Sequence, residues 1–335
     1  MAKLILSTGN IVSGGPSIIR KPGAYRSNLE LTNSLRSNFL AAQEDYADQP
    51  FTNGGANGDS NGHGIENGNG HSDDFVNSAK NGRTPVSAWT AREGNTVYIP
   101  RIDWDAAGLQ EEPSQYEVTV KLFFLPTASI KERARYTSEA LDLVMKELRI
   151  GQVDLLIVSF PGMSFEGDCE WEADKINAAQ GDDEEEFATW AILEPFHKQG
   201  LVKNLGVAEF GTEKLSRLLQ RTCVRPAVDQ INIKNCCSVP PPLAKLAKEQ
   251  GIELLVHSDC TNILPKGTLR ELLGSGFQGA GVLCDPEDPN GAHNGVDCLH
   301  GDLTPQWVVK YTAVVRDRGV IENKGYFAGA ELHEE

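Results

Sequence analysis

The feature that most constrains the fold is an alternation of apolar runs with amphipathic segments between residues 116 and 258. Five runs of seven to ten residues are rich in Val, Ile, Leu and Phe, which is typical of strands buried on both faces. The segments between them place apolar residues at helical spacing, as at Leu141, Val144, Met145 and Leu148. The predicted strands are 116–125, 153–159, 201–208, 227–233 and 252–258, and the predicted helices begin at Ser138 or span 184–199, 212–221 and 241–250.

This alternation predicts a parallel sheet covered by helices, which is the α/β class. A doubly wound sheet usually carries a glycine fingerprint after its first strand, and STGNIVSGG near the N-terminus is not one. We therefore predict a (β/α)8 TIM barrel that occupies residues 1–335 as one domain. Its earlier strands lie within residues 1–110, and it closes with a helix at 304–318 and a strand at 319–323. Its functional site is expected at the C-terminal ends of the strands.

One segment departs from this pattern. Residues 51–75 contain 7 Gly and 5 Asn among 25 residues. Such a composition buries too little apolar surface to offset the entropy of ordering the chain. We predict a disordered low-complexity insertion over residues 48–85 of the barrel.

Composition and charge exclude several classes of function. The chain has 335 residues, of which 40% are hydrophobic, and a formal net charge of -16, which argues against a nucleic-acid surface. Uncharged apolar runs are too short to cross a membrane, and no secretory signal is evident at the N-terminus. Seven cysteines form an odd set without framework spacing, which favours free thiols and a cytoplasmic location.

Two positions on the apolar strands raise the question of an active site. Alternation along 116–125 places Lys121 on the face opposite Val118, Val120 and Leu122, so it points inward if the apolar face meets the helices. A buried lysine is costly without a partner. It is either a functional residue or a lysine whose ammonium group reaches the barrel mouth. Ser159 ends the second strand just before a Phe-Pro-Gly turn.

The adjacent Cys236 and Cys237 admit two interpretations. They are either a redox-sensitive or interface thiol pair, or two small residues at a strand exit, since neighbouring cysteines rarely bridge each other. A zinc site built from these two with His257 and Cys260 fits no metal-binding spacing, and we predict no metal site.

A succession of motifs resembles the aldo-keto reductases. The motifs are KLFF, LLIVSFPG, the 190–210 block with VKNLGV, then AVDQIN and KEQGIELLVHS, and they cover about residues 115–325 in the family's order. The resemblance implies a (β/α)8 barrel. In that family an NADPH-dependent oxidoreductase uses an Asp, Tyr, Lys, His tetrad, with tyrosine as the general acid.

The resemblance carries over only part of that tetrad. Lys121 matches the family lysine, and Ser159 stands at the place of the histidine. The family's Asp-x4-Tyr motif is missing from its expected place, and Glu93 and Tyr98 echo only its spacing. The sequence therefore predicts no catalytic residue of its own and a tetrad remnant at Lys121.

The cofactor positions are altered as well. Ala208 and Glu209 stand where the family has the Ser-Asn pair that holds the nicotinamide amide. Gln230 is retained, and His257 replaces the tyrosine that stacks on the nicotinamide ring. Lys324 lies where a reductase would hold phosphate. The resemblance implies a vestigial cofactor site at Gln230, His257 and Lys324 and no bound cofactor, although NADPH binding stays open.

A narrower resemblance accounts for these losses. The blocks LILSTGNIVSGG, QINIKNCCSVPPPLAKLAKEQGIELLVHSD and WVVKYTAVVRDRGVIENKGYFAGA are similar to the regulatory subunits of glutamate–cysteine ligase. The resemblance implies a cytoplasmic pseudoenzyme of glutathione biosynthesis that forms a heterodimer with the ligase catalytic subunit. Such a subunit lowers the KM for glutamate and relieves feedback inhibition by glutathione. The alternatives are a divergent NADPH-dependent reductase and an NADPH-binding sensor, which the retained Gln230 favours.

Overall fold

The computed structural model describes residues 2–13, 27–47, 84–233, 238–285 and 297–333. The predicted insertion over 48–85 lies outside these ranges, apart from its last two residues. The predicted thiol pair, Cys236 and Cys237, also lies outside them.

The strands in these ranges form one sheet of ten. Their order is β2-β3-β1-β10-β9-β4-β5-β6-β7-β8. Neighbouring strands from β4 to β8 are parallel, whereas β9 is antiparallel to β4 and β10 is antiparallel to both β9 and β1. The strands are β1 (Ala2–Ser7), β2 (Ala91–Glu93), β3 (Thr96–Ile99), β4 (Tyr116–Phe124), β5 (Val153–Ser159), β6 (Val202–Ala208), β7 (Val228–Asn232), β8 (Glu253–His257), β9 (Asp302–Val315) and β10 (Val320–His333).

The helices fall between the strands as the sequence predicts. They are α1 (Ser27–Asp45), α2 (Val86–Trp89), α3 (Arg133–Leu148), α4 (Glu170–Asn177), α5 (Asp183–Lys198), α6 (Thr212–Leu219), α7 (Pro241–Gln250) and α8 (Thr268–Leu273), with 3-10 turns at Pro113–Gln115 and Ile130–Glu132. The predicted α/β class and the five central strands are confirmed. Helix α3 begins at Arg133, more than one turn before the predicted start at Ser138.

The C-terminal region differs from the prediction. The helix expected at 304–318 is wrong, because β9 and β10 form one long antiparallel hairpin there, and the strand expected at 319–323 is confirmed as the start of the longer strand β10. Six β-branched residues in β9, including Val308 and Val309, favour an extended chain, and Gly319 allows the tight turn with its φ of 61°. The hairpin inserts antiparallel strands between β1 and β4, where a regular (β/α)8 repeat has parallel ones.

The two faces of the sheet have different neighbours. We call the face of β4 that carries Val118, Val120 and Leu122 the outer face, and it packs against α3 and α5 in the largest apolar core. The opposite, inner face carries Lys121 and Phe123, and its apolar neighbours include residues of α1, α8 and β10. The expectation that the apolar face of β4 meets helices is therefore confirmed. Lys121 is left among the polar residues of the inner face.

Candidate functional site

Two lysines lie side by side on the inner face of the sheet. Lys121 of β4 and Lys310 of β9 are directly opposite each other in the antiparallel register. Like charges in such a cross-strand pair repel one another. Asp259, just beyond β8, lies between them: one carboxylate oxygen is 3.0 Å from Nζ of Lys121 and the other is 2.8 Å from Nζ of Lys310. One carboxylate thus compensates both ammonium groups.

The two ion pairs are largely buried, and this changes the pKa values of their members. The side chains of Lys121 and Asp259 are only 5% and 8% exposed. Burial alone would raise the pKa of Asp259, but the ammonium groups of Lys121 and Lys310 outweigh it and hold that pKa well below its usual range. Desolvation lowers the pKa of Lys121, and Asp259 counteracts part of that effect. The ion pair therefore depends on both partners being charged.

A second buried pair adjoins the first. Nε2 of His257 lies 2.6 Å from a carboxylate oxygen of Glu209. The backbone N–H of Asp259 donates to Nδ1 of His257 over 3.0 Å. Because Nδ1 accepts a hydrogen bond, a proton on the ring must sit on Nε2, which faces the carboxylate. The backbone that positions Asp259 also fixes the orientation of the imidazole.

Glu209 has an unusual backbone conformation. Its φ is 64°, in the left-handed region that non-glycine residues rarely adopt. Asn177, the last residue of α4, donates to the Glu209 carbonyl over 2.7 Å and accepts from the N–H of Gly211 over 2.7 Å. The Glu209 N–H donates to the carbonyl of Gln230. These bonds hold a strained residue in place, and this directs its carboxylate toward His257.

Gln230 completes this group of side chains. Its Oε1 accepts from Nζ of Lys121 over 2.9 Å. We call the set the charged cluster, and its members are Lys121, Glu209, Gln230, His257, Asp259 and Lys310. Its side chains come from the ends of β6 and β8 and from the middle of β4, β7 and β9. The sequence-predicted residues Lys121, Gln230 and His257 therefore meet at one place.

Other predicted positions lie at different places. Ser159 ends β5 opposite Phe123 of β4 and is buried. Tyr98 lies on the outer face, where its ring meets Trp104 edge-on at 6.2 Å, so the sheet separates it from Lys121. Lys324 is part of β10, and its Nζ lies 2.7 Å from a carboxylate oxygen of Glu30.

A further carboxyl group is fully buried beside the cluster. Asp229 of β7 is 0% exposed, and its Oδ1 accepts a long hydrogen bond of 3.4 Å from the N–H of Phe210. Burial raises its pKa well above the usual range, that one hydrogen bond offsets only part of the effect, and the nearby charge of Glu209 adds to it. Two buried acids thus lie close together with opposite preferences: Asp259 on the inner face is held ionised, whereas Asp229, which pairs with Val207 and points to the outer face, favours its protonated form.

Of the other three members of the cluster, Glu209 was identified from the sequence only as an altered cofactor position, and Lys310 and Asp259 were not identified. Lys310 could not be placed because its segment was predicted as a helix. Asp259 follows the strand ending in His257 with one residue between them, and that spacing was the available signal, because residues i and i+2 of an extended chain share a face.

The cysteines also differ from expectation. Cys284 and Cys298 form a disulfide, so the expectation of free thiols is wrong for this pair. Among the described residues, Cys169, Cys223 and Cys260 are free.

Comparisons with known proteins define the class of the chain. The sequence profile of the aldo/keto reductase family matches residues 106–271. The crystal structure of an aldo-keto reductase of Bombyx mori in complex with NADP overlaps with 42% of this chain and 40% of that one, at 20% identity and a TM-score of 0.30. That overlap is partial, and the assignment rests on the sequence matches. Residues 106–271 therefore resemble the aldo/keto reductases, as the sequence predicts.

Longer matches define the family within that class. A Schizosaccharomyces pombe protein, provisionally named a glutamate–cysteine ligase regulatory subunit, is 33% identical over 227 residues, which are 65% of this chain and 71% of that protein. The Homo sapiens glutamate–cysteine ligase regulatory subunit is 26% identical over 221 residues, 66% of this chain and 68% of its own length. The chain belongs to the family of glutamate–cysteine ligase regulatory subunits.

None of the helices in the described ranges has the length and apolar character needed to cross a bilayer.

Proposed function

We propose that this chain is a non-catalytic regulatory subunit that binds the catalytic subunit of glutamate–cysteine ligase. In that complex it lowers the KM for glutamate and relieves feedback inhibition by glutathione. The observation that carries the proposal is the 33% identity over 71% of the S. pombe protein named for this role.

The geometry of the charged cluster supports the absence of reductase chemistry. Within the described part of the chain, the ammonium group of Lys121 donates hydrogen bonds to Asp259 and Gln230 and not to a tyrosine hydroxyl. Tyr98 lies across the sheet, and Ser159 offers no imidazole. A reduction without a positioned general acid loses on the order of 10²–10⁴ in rate.

The residues at the cofactor positions do not fit NADPH. Gln230, which the family resemblance assigns to the nicotinamide, accepts from Lys121. His257 lies against the carboxylate of Glu209, and Lys324 is paired with Glu30 instead of a phosphate. Binding the cofactor through these groups would compete with their present contacts to Lys121, Glu209 and Glu30. This disfavours both the divergent reductase and the NADPH sensor.

A regulatory effect without chemistry must act through contact. A subunit that binds the more competent conformation of its partner shifts the population toward that conformation. A tenfold change in apparent affinity requires only about 1.4 kcal/mol of differential binding. An interface of roughly 1,000 Å² or more is sufficient for stable association.

Association is the first test of this proposal. The full chain and the catalytic subunit, purified separately and mixed at equal concentration, should co-elute in gel filtration as a heterodimer. The chain alone should neither quench NADPH fluorescence nor oxidise NADPH with a panel of aldehydes. Separate elution of the two proteins would contradict the regulatory role. Quenching would support the sensor, and aldehyde-dependent oxidation would support the reductase.

A further inference from the structure

Two cysteines and a histidine outside the charged cluster lie close together near α8. Their ligand atoms, Sγ of Cys284, Sγ of Cys298 and a ring nitrogen of His300, all lie within 4.8 Å of one another. Nε2 of His300 is 3.2 Å from Sγ of Cys284. Thiolates and imidazole are the ligands that Zn²⁺ and other thiophilic cations prefer.

The backbone places these three side chains independently of the disulfide. Leu283 and Leu299 form a parallel bridge, in which the N–H of Cys284 donates to the Leu299 carbonyl over 2.9 Å. The N–H of Leu299 donates to the Val282 carbonyl over 2.7 Å. Two paired segments, 282–284 and 298–300, therefore bring the ligands together through backbone hydrogen bonds that involve no sulfur atom.

Both segments are anchored to the rest of the fold. The N–H of Leu283 donates to the Leu273 carbonyl at the end of α8, and the side chain of Leu283 is fully buried. Asp297 accepts from the backbone N–H and the hydroxyl of Ser87, at 3.0 and 3.1 Å. Arg270 donates to the Gly301 carbonyl over 2.8 Å. Ligands on anchored segments lose little entropy when they bind a metal.

We propose that, once the disulfide is reduced, Cys284, Cys298 and His300 form an open three-ligand site for a thiophilic divalent cation of the Zn²⁺ class. The Cα atoms of the two cysteines are 5.3 Å apart, so both sulfurs reach one ion at the usual Zn–S distance of about 2.3 Å. Cys284 is buried, Cys298 is half-buried and His300 is exposed, so an ion can enter from the solvent side. A water molecule completes a tetrahedral set, and both thiols release their protons on binding.

Redox state and occupancy exclude each other at this site. In the disulfide, each sulfur is bonded to the other and no thiolate is available. When a phosphine reduces the S–S bond, it takes oxygen from water and becomes the phosphine oxide, and the two thiols keep the two hydrogens. The inference is independent of the regulatory function, since it depends only on these three side chains.

The test compares the reduced and oxidised forms of the full chain. Protein reduced with tris(2-carboxyethyl)phosphine is titrated with Co²⁺, and the thiolate-to-cobalt charge-transfer band is followed. Zn²⁺ affinity is then measured by competition with a chromophoric chelator. We expect one ion per reduced chain at this site and no ion at this site in the oxidised wild type. Because the oxidised form carries no substitution, it controls for misfolding of the variants.

Variants assign the ion to its ligands. Cys284→Ser and Cys298→Ser should each abolish the charge-transfer band of this ion. His300→Gln should weaken Zn²⁺ binding at least about 10–100-fold, a loss that even outer-shell partners cause. Cys169→Ser, which removes an exposed free thiol, is the matched control and should bind as the wild type does. Equal binding by the oxidised chain, or an ion retained in Cys284→Ser, would overturn the proposal, as would absence of binding by the reduced wild type.

Discussion

At the scale of residues, Asp259 determines how two lysines share the inner face of the sheet. Lys121 and Lys310 are directly opposite on adjacent strands, and one carboxylate contacts both. Breaking a buried pair from one side leaves an uncompensated charge, which costs more than the pair itself contributes. We therefore regard Asp259 as a structural requirement of the cluster.

Asp259→Asn tests this requirement. The amide removes the negative charge at nearly constant volume, so the free energy of unfolding should fall by about 3–5 kcal/mol in urea denaturation. Glu249→Gln is the control, because Glu249 faces Lys245 at 3.9 Å on the exposed surface of α7 and its loss should stay within about 0.5 kcal/mol. A change as small for Asp259→Asn as for the control would show that the two lysines do not need a counter-charge.

Asp229→Asn tests the neighbouring buried acid through its pH dependence. The pKa of Asp229 is raised by folding, so the folded chain keeps a proton that the unfolded chain releases above pH about 4. The wild type therefore loses stability from this group as pH rises toward the folded pKa, and the amide variant does not. Unfolding free energies between pH about 5 and about 8 should show the variant gaining on the wild type with rising pH. A constant difference would contradict this assignment.

The contribution of Asp259 to stability changes with pH in the opposite direction. Its pKa is depressed by folding, so its contribution is complete above the ordinary carboxyl range and is lost as pH falls through the folded pKa. The two acids are thus distinguishable in one set of pH-dependent measurements.

At the scale of elements, the sequence predicts those parts whose periodicity is unambiguous. Strands β4 to β8 and helices α5 to α7 follow from apolar runs and helical spacing. The segment 304–318 is wrongly predicted as a helix because its apolar residues fit either period over a short window, whereas its β-branched residues favour the observed strand. Helix α4 lies in a polar stretch that gave no such signal, and it supplies the Asn177 that holds Glu209.

The close packing of the hairpin gives a prediction at this scale. A Cβ on Gly329 of β10 would lie 2.4 Å from Cε2 of Trp307, whose side chain is fully buried and cannot move away. Gly329→Ala should therefore lower the free energy of unfolding by about 1–3 kcal/mol, the usual cost of overpacking. A Cβ on Gly276 would have no atom within 4 Å, so Gly276→Ala is the matched control and should be neutral or slightly stabilising. If Gly329→Ala and Gly276→Ala changed the thermal stability equally, the hairpin would accommodate a Cβ beside Trp307, which would contradict the prediction.

At the scale of the whole molecule, the family could be inferred from the sequence, but the composition of the site could be inferred only in part. Lys121, Gln230 and His257 lie on strands whose order the motifs define, so the sequence could predict that the three side chains lie close together. Asp259, which pairs with Lys121, follows a strand end, and Lys310, which pairs with Asp259, lies on a strand that the sequence predicts as a helix. These internal pairings argue against reductase chemistry and so support the proposed function, which acts through association.

The central claim is tested most directly by the steady-state kinetics of the ligase catalytic subunit with and without this chain. At saturating chain, the KM for glutamate should fall by about tenfold, which corresponds to about 1.4 kcal/mol of differential binding. Inhibition by glutathione should weaken in the same assay, and the chain alone should form no γ-glutamylcysteine. An unchanged KM and unchanged glutathione inhibition, at concentrations where the two proteins are shown to be fully mixed and folded, would contradict the regulatory role.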